Sequence, residues 1–380
     1  MERIYFDHAS TTPVDPAVVA AMTPYFTEQF GNVSSPHAFG RSAHKALEDA
    51  RGILAKFIGA QSEEIVFNSG ATEANNHAII GIARAQKNKR KHFIVSSIEH
   101  HSVLETVEYL KNEEGCDVTC LKVDHDGLVD PQDVENAVTD QTILIAVMLA
   151  NNEIGSIQPI SEIGAIAHKR HIPFLVDAVQ AVGHIPVDVN DLYADLLSLS
   201  AHKFYGPKGV GALYIRKGTR LSSFLLGGGQ EQGRRSSTQN VAGAVGLAKA
   251  VELCGQKMSD EIVFQTKLRD KLLDDVPRMI KGVKVNGHLS QRLPNNAHFS
   301  FERLQSESLL LSLDMSNIAA SMGSACASGA MEPSHVLRAI GLSDELSYGA
   351  LRVTLGRWNT EEQVDYLLEK LPALVTSLRI

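Results

Sequence analysis

The sequence predicts an α/β protein built on a mostly parallel, doubly covered sheet. Three observations carry this. Short β-branched runs alternate with helical patterns from about residue 60 to 215. The strands are apolar on both faces, as in ILIAVML and PFLV, which suits strands buried on both sides. The chain has 380 residues, 44% of them hydrophobic and 21% charged, which is enough for a large core and argues against disorder.

In order, the expected strands are Glu64–Phe67, His92–Ser97, Val118–Val123, Ile143–Leu149, Pro173–Asp177, Leu196–Ser200 and Gly211–Arg216. Helical patterns lie between them at Ala71–Lys89, Ser102–Glu113, Pro131–Ala137 and Ser161–His171. A long helical pattern runs from Gln239 to about Lys257, and MSDE at Met258–Glu261 offers a serine cap for a second helix towards Pro277. A boundary is therefore expected there. Residues 1–14 would pack at the interface, 15–257 would form the large domain, and 258–380 a smaller α/β domain. The smaller part combines VKVNG, NAHFSF, a helix around Glu307–Leu313, a loop at Ser321–Pro333, a strand at Leu351–Thr354 and a last helix from Thr360.

Charge and composition exclude several classes. The net charge of −8 disfavours a general nucleic-acid binder. No basic stretch followed by an apolar run opens the sequence, so no signal peptide is expected. The longest apolar run, Ile143–Ala150, is too short for a membrane span. Four cysteines do not make a disulfide framework, so a reducing, cytoplasmic setting is the default.

The chemistry-bearing residues sit in polar, glycine-rich stretches, which line sites more often than they fill cores. Lys203 follows a strand in SLSAHKFYGPKGVG. A semi-buried lysine there gains a lowered pKa and can attack a carbonyl, whereas in the plainer reading it is a solvated loop lysine. Asp177 ends the strand PFLVD at the carboxyl edge of the sheet. Such an acid can hold a cofactor's pyridine nitrogen protonated, or simply cap a helix. In NSGATEANN, Gly70, Ala71 and Thr72 would leave backbone N–H groups free at a helix start, where a phosphate fits. His100 in EHHSV suits stacking on a planar ring and proton transfer, or is a surface histidine. Cys326 lies in SMGSACASGA, a run of small residues that cannot pack a core. It reads as a nucleophile on a loop or as an incidental thiol. No further Cys/His set completes a zinc site with Cys116 and Cys120, and these two and Cys254 read as structural, since free cysteine is commonly a small core residue.

Taken together, these motifs are no longer generic. Along nearly the whole chain, in order, YFDHASTTPVDP, FGNVSSPHAFGR, FNSGATEANN, EHHSV, LANNEIGSIQPI, VDAVQAVGHIPVD, SLSAHKFYGPKGVG, GGGQEQGRRSSTQN, GSACASG with PSHVL, and LRVTLGRWNT resemble the NifS/IscS-type cysteine desulfurases. These are class V aminotransferases of fold type I that depend on pyridoxal 5'-phosphate (PLP). The resemblance implies a large domain with a mostly parallel seven-stranded sheet and a smaller C-terminal domain carrying the Cys326 loop.

It also implies a role for each matching residue. Lys203 would carry PLP through its amine, and Asp177 would pair with the pyridine nitrogen. Gln180 and Asn152 would contact the ring's oxygen side, and His100 would stack on the ring. Ala71, Thr72, Ser200 and His202 would hold the phosphate, and Thr238 would reach the phosphate of the other subunit of a homodimer. Arg352 would grip the carboxylate of L-cysteine, since a planar guanidinium suits a bidentate contact. Asn32 is a further substrate candidate. Lys203, freed by the substrate amine, would take the Cα proton, and His100 would relieve a thiol of its proton. Cys326 would take sulfur as a persulfide, leaving L-alanine. The sulfur would pass to an acceptor such as an iron–sulfur scaffold or a tRNA-thiolation enzyme. No intrinsic metal site is implied, and Cys326 would at most be a transient iron–sulfur ligand.

There are departures from the pattern. Val33 stands where proline is usual. Ser237 stands where glycine is common, and it would be strained if that position needs a positive φ. The chain stops at SLRI, without the longer tail by which IscS-type members dock a scaffold, which leans towards the NifS-like end. Rival readings are a selenocysteine lyase, another class V reaction, or a non-catalytic scaffold of a sulfur-transfer complex. A transaminase has no need of Cys326.

Overall fold

A computed structural model describes residues 3–86, 91–323 and 333–379. Its seven-stranded sheet consists of β1 (Ile65–Asn68), β2 (His92–Ser96), β3 (Asp117–Leu121), β4 (Thr142–Met148), β5 (Phe174–Asp177), β6 (Leu196–Ser200) and β7 (Gly211–Ile215). The spatial order is β1-β7-β6-β5-β4-β2-β3. All neighbours are parallel except the two pairs made by β7.

Successive residues of these strands feed two different cores. Ile145, Val147, Phe174, Val176, Leu197 and Leu199 pack on one face. Leu144, Ala146, Leu175, Leu196, Leu213 and Ile215 pack on the other. Continuous apolar runs are therefore the direct signature of burial on both faces. Helices α1 (Ala38–Phe57), α2 (Ala71–Ala85), α3 (His101–Glu114), α4 (Pro131–Ala137) and α5 (Ile160–Lys169) cover the sheet.

A second, three-stranded antiparallel sheet is formed by β8 (Val283–Val285), β9 (Asn296–Phe301) and β10 (Ala350–Thr354), with β9 central. It has its own core, in which Phe299, Leu351 and Val353 meet Leu268 and Leu272. Ile4 and Phe6 belong to this second core. The chain then crosses to the large sheet, where the Thr12 and Asp15 N–H groups donate to the carbonyls of His202 and Tyr205.

One expectation is corrected. The two helices anticipated on either side of residue 257 are a single helix, α6 (Val241–Met279). Its first half ends in the large core at Cys254, and its second half enters the small core at Leu268. Ser259 and Asp260 lie between, exposed on an uninterrupted helix. A serine caps a helix only where the backbone leaves it, and here the backbone stays helical through Gly255 and beyond. The Arg357 guanidinium also ties Glu261 across this span, at 2.5 Å.

Candidate active site

The strand ends converge at one edge of the large sheet. Asp177 closes β5, and Ser200 closes β6 before a single 3-10 turn carries Lys203. This carboxyl edge is where open α/β sheets place their ligands. Lys203 Nζ donates to the carbonyls of Ala9 and Ser10, at 2.7 and 2.8 Å. Gln180 Nε2 donates to the same Ala9 carbonyl at 3.0 Å. The N-terminal segment thus covers the lysine and the glutamine with backbone acceptors. Asp177 accepts from the Val179 N–H at 3.0 Å and from Asn75 Nδ2 at 2.9 Å.

His100 caps α3 and is held by Ser102, whose N–H and hydroxyl both lie within hydrogen-bond distance of the ring Nδ1. Burial pushes its pKa down. Asp177 pulls it up, while Lys203 and His101 push it further down. The same three groups, ring, carboxylate and amine, therefore share one electrostatic environment. His202 also stays neutral, lowered to about 4 by burial and by the charges of Lys203 and Lys208.

The phosphate expectation has a structural basis. Helix α2 starts at Gly70 with no side-chain cap, so its first N–H groups have no such partner. Gly70 sits at φ 147, where an L-residue is strained, and a Cβ there would meet Ser200 Oγ at 3.5 Å. Ala71 and Thr72 thus open an uncapped helix beside Ser200, on the same edge as Lys203 and Asp177. An amine, a carboxylate and an anion cradle are the donor set PLP requires, and the residues fit it.

Arg352 comes from the small sheet. It is 2% exposed, and its side chain reaches Asp7 Oδ1 and Ser10 Oγ at 2.8 Å each. Its other terminal nitrogen donates to the carbonyls of Asn152 and Gly323, at 2.8 and 3.2 Å. Asn152 is thus brought to the site through its backbone. Next to it, Glu153 accepts from Ser334 Oγ at 2.6 Å, and burial holds its carboxyl above the usual range. Glu99 is raised to about 8, first by burial and then, against its hydrogen bonds, by the charge of Asp177.

Other sequence candidates stand apart. Asn32 is exposed and accepts from the Ser34 N–H in the turn before α1. Thr238 is exposed, and none of its own chain's site residues bonds to it among the described contacts. Ser237 does adopt φ +98, the strained conformation anticipated for it. Val33 packs against the large core. Cys326 lies outside the described residues. Cys116 and Cys254 are buried, but Cys120 is exposed on the edge strand β3 and so is not the core residue expected.

Sequence reasoning missed Asp7, Ser10, Asn75, Ser102, Glu99 and Glu153. The first two lie in a motif that had been singled out without a role, and Asn75 lies inside NSGATEANN. Glu99 and Ser102 lie inside EHHSV and Glu153 inside LANNEIGSIQPI, likewise without an assigned role.

The class-V aminotransferase family profile matches residues 4–367. The cysteine desulfurase IscS of Clostridium botulinum (strain Hall) is 50% identical over 380 residues, covering all of this chain and 96% of that protein. A solved NifS-like protein superposes with a TM-score of 0.93 at 38% identity, over 99% of this chain and 100% of its own. SspA, solved in complex with cysteine, gives a TM-score of 0.83 at 37% identity, over 94% of this chain and 100% of its own. The chain belongs to the class-V aminotransferase family, as a PLP-dependent cysteine desulfurase of the NifS/IscS type.

Proposed function

We propose that this chain removes sulfur from L-cysteine, holds it on Cys326 as a persulfide, and hands it to an acceptor protein. The observation that carries the reading is the convergence of Lys203, Asp177, His100 and the open start of α2 on one sheet edge, beside the buried fork of Arg352. PLP, when bound, supplies an electron-withdrawing ring beside the substrate Cα.

The residues divide the work as follows. Lys203 carries the cofactor and moves a proton at the substrate Cα. With PLP bound, Asp177 would pair with the pyridine nitrogen, Gln180 and Asn152 would contact the oxygen side, and His100 would stack on the ring. Ala71, Thr72, Ser200 and His202 hold the phosphate, and Thr238 serves the partner subunit of a homodimer. Arg352 takes the substrate carboxylate. The Cys326 thiolate attacks the substrate sulfur, so an S–S bond forms as the carbon–sulfur bond breaks. The bonding pair stays with the carbon skeleton, which takes up protons and leaves as L-alanine.

The other thiols are poor rivals. Burial raises the pKa of Cys116, and that of Cys254 to about 12, and the surface-lying Cys120 is raised by partial desolvation and by Glu99, so their thiolates are disfavoured. The division into residues 1–14, 15–257 and 258–380 belongs to the same reading, with the two cores joined through α6. No helix among the described residues is long and apolar enough to cross a membrane. We place the protein in the cytoplasm, with an iron–sulfur scaffold or a tRNA-thiolation enzyme as acceptor.

The test is steady-state turnover of L-cysteine with a thiol reductant. Equal amounts of alanine and sulfide are expected, with Lys203→Ala inactive and colourless. Cys326→Ser should keep the colour but lose sulfide release. Faster turnover of L-selenocysteine with Cys326 dispensable would favour a selenocysteine lyase instead.

A further inference from the structure

His100, Ser102, Asn75 and Asp177 form a continuous chain of hydrogen bonds. Asn75 Nδ2 lies 2.9 Å from Asp177 Oδ2 and 2.9 Å from Ser102 Oγ. Ser102 Oγ lies 2.8 Å from His100 Nδ1, and the Ser102 N–H donates to that nitrogen at 3.1 Å. Asn75 is fully buried, and Ser102 nearly so. The chain joins three elements: α2, the start of α3, and the end of β5.

Its direction is fixed by chemistry. Turning the Asn75 amide over would set its oxygen against a carboxylate oxygen, two acceptors face to face. The amide nitrogen therefore spends one hydrogen on Asp177 and the other on Ser102. Ser102 Oγ, having accepted, has its own hydrogen to give, and Nδ1 of His100 is in reach. The Ser102 backbone N–H can only donate. Nδ1 thus receives two hydrogens and cannot carry one.

We infer that Asn75 and Ser102 are positioning residues that lock His100 in one tautomer, with its only ring hydrogen on Nε2, and orient it against Asp177. This rests on the proposed place of His100 at the cofactor ring and sharpens it. The neutral ring has no open lone pair, since Nε2 carries the hydrogen and Nδ1 is occupied. His100 therefore acts as a hydrogen-bond donor from Nε2, and it is not the base that takes a thiol proton. The groups facing it are Asp177 from β5, Lys203 after β6, His101 beside it, and His335 from the helix His335–Ala339. Burial, Lys203 and His101 lower its pKa against the pull of Asp177, in the direction this assignment requires.

Ring-15N-histidine labelling of the holoenzyme tests the inference, with the His100 signals identified by their loss in His100→Gln. A pyridine-type Nδ1 and a pyrrole-type Nε2 are expected from about pH 6 to 8. A pyrrole-type Nδ1 would overturn the inference. Ser102→Ala removes a donor that favours the neutral ring, so the His100 midpoint should rise by about half to one unit. Ser102→Thr, which keeps the hydroxyl, should restore it. An unmoved midpoint in Ser102→Ala would also overturn the proposal. If the tautomer is as assigned but His100→Gln turns over L-cysteine at the full rate, the relay stands and the proposed role of His100 fails.

Discussion

Two buried arginines invite comparison. Arg51 on α1 and Arg352 on β10 are both almost sealed from solvent, with side chains 4% and 2% exposed. Both face an acid, but the surroundings differ. Arg51 forks onto Glu231, whose side chain is itself only 2% exposed, at 2.7 and 3.0 Å. It also donates to the Ile65 carbonyl and lies over the Phe67 ring. Glu231 in turn accepts the Phe67 N–H. Arg51 Nε also reaches Glu48 at 3.1 Å, a side chain 44% exposed on the same helix, but the fork itself is sealed on both sides and joins α1, β1 and the Gly227–Thr238 stretch. Arg352 meets one oxygen of Asp7, whose side chain is 21% exposed, together with a hydroxyl and two backbone carbonyls. Its Nε is buried without a hydrogen-bond partner. A closed pair of this kind can only hold structure. An arginine with a half-open partner can exchange it for a substrate carboxylate.

Breaking the closed pair should have the largest effect. Arg51→Ala strands Glu231 in the core and should cost about 3–5 kcal/mol in denaturant unfolding. The double variant Arg51→Met, Glu231→Leu should recover most of that loss, and failure to recover would show that the pair contributes more than its own desolvation. Breaking the open site should act on catalysis instead. Arg352→Ala should lower kcat/KM for L-cysteine about 100-fold, chiefly through KM, as the loss of a charged hydrogen-bond pair implies. An unchanged KM would remove Arg352 from substrate binding.

Glu99 extends the comparison to a buried acid with no cation. One carboxyl oxygen accepts from both Ser96 Oγ and the Met148 N–H, and the other is buried without a partner. Its folded pKa of about 8 lies above the ordinary 4.5. Between those values the unfolded chain has lost a proton that the folded chain keeps, so stability falls as pH rises through this window and levels off above it. Glu99→Gln should flatten that slope and gain about 1–3 kcal/mol at pH 8 in denaturant unfolding. A slope unchanged by the substitution would place the ionisation elsewhere. The smallest effect concerns Asp7. If it competes with the substrate for Arg352, Asp7→Asn should lower KM about two- to threefold. A raised KM would show instead that Asp7 orients the guanidinium.

Much of this was legible in the sequence, for identifiable reasons. The seven strands emerged within a residue or two; the buried ones are unbroken apolar runs, as in Thr142–Met148, while the edge strand Asp117–Leu121 is marked only by its β-branched residues. Lys203 and Asp177 stood out because each follows such a run. The continuity of α6 did not, because Ser259 looks like a cap locally and only the two cores it joins decide otherwise. The acceptors of Lys203 were hidden for a different reason. Backbone carbonyls at Ala9 and Ser10 leave no mark in residue type. Asn75 and Asp177 are 102 positions apart, and no local pattern announces that they meet.

The central claim is that sulfur leaves L-cysteine for one thiol, and a single turnover without reductant tests it most directly. The holoenzyme would be mixed with one equivalent of L-cysteine, digested, and its thiols mapped by mass spectrometry. The account predicts one added sulfur on Cys326 with matching L-alanine. The adduct on Cys116, Cys120 or Cys254, or alanine formed with no adduct at all, would contradict it.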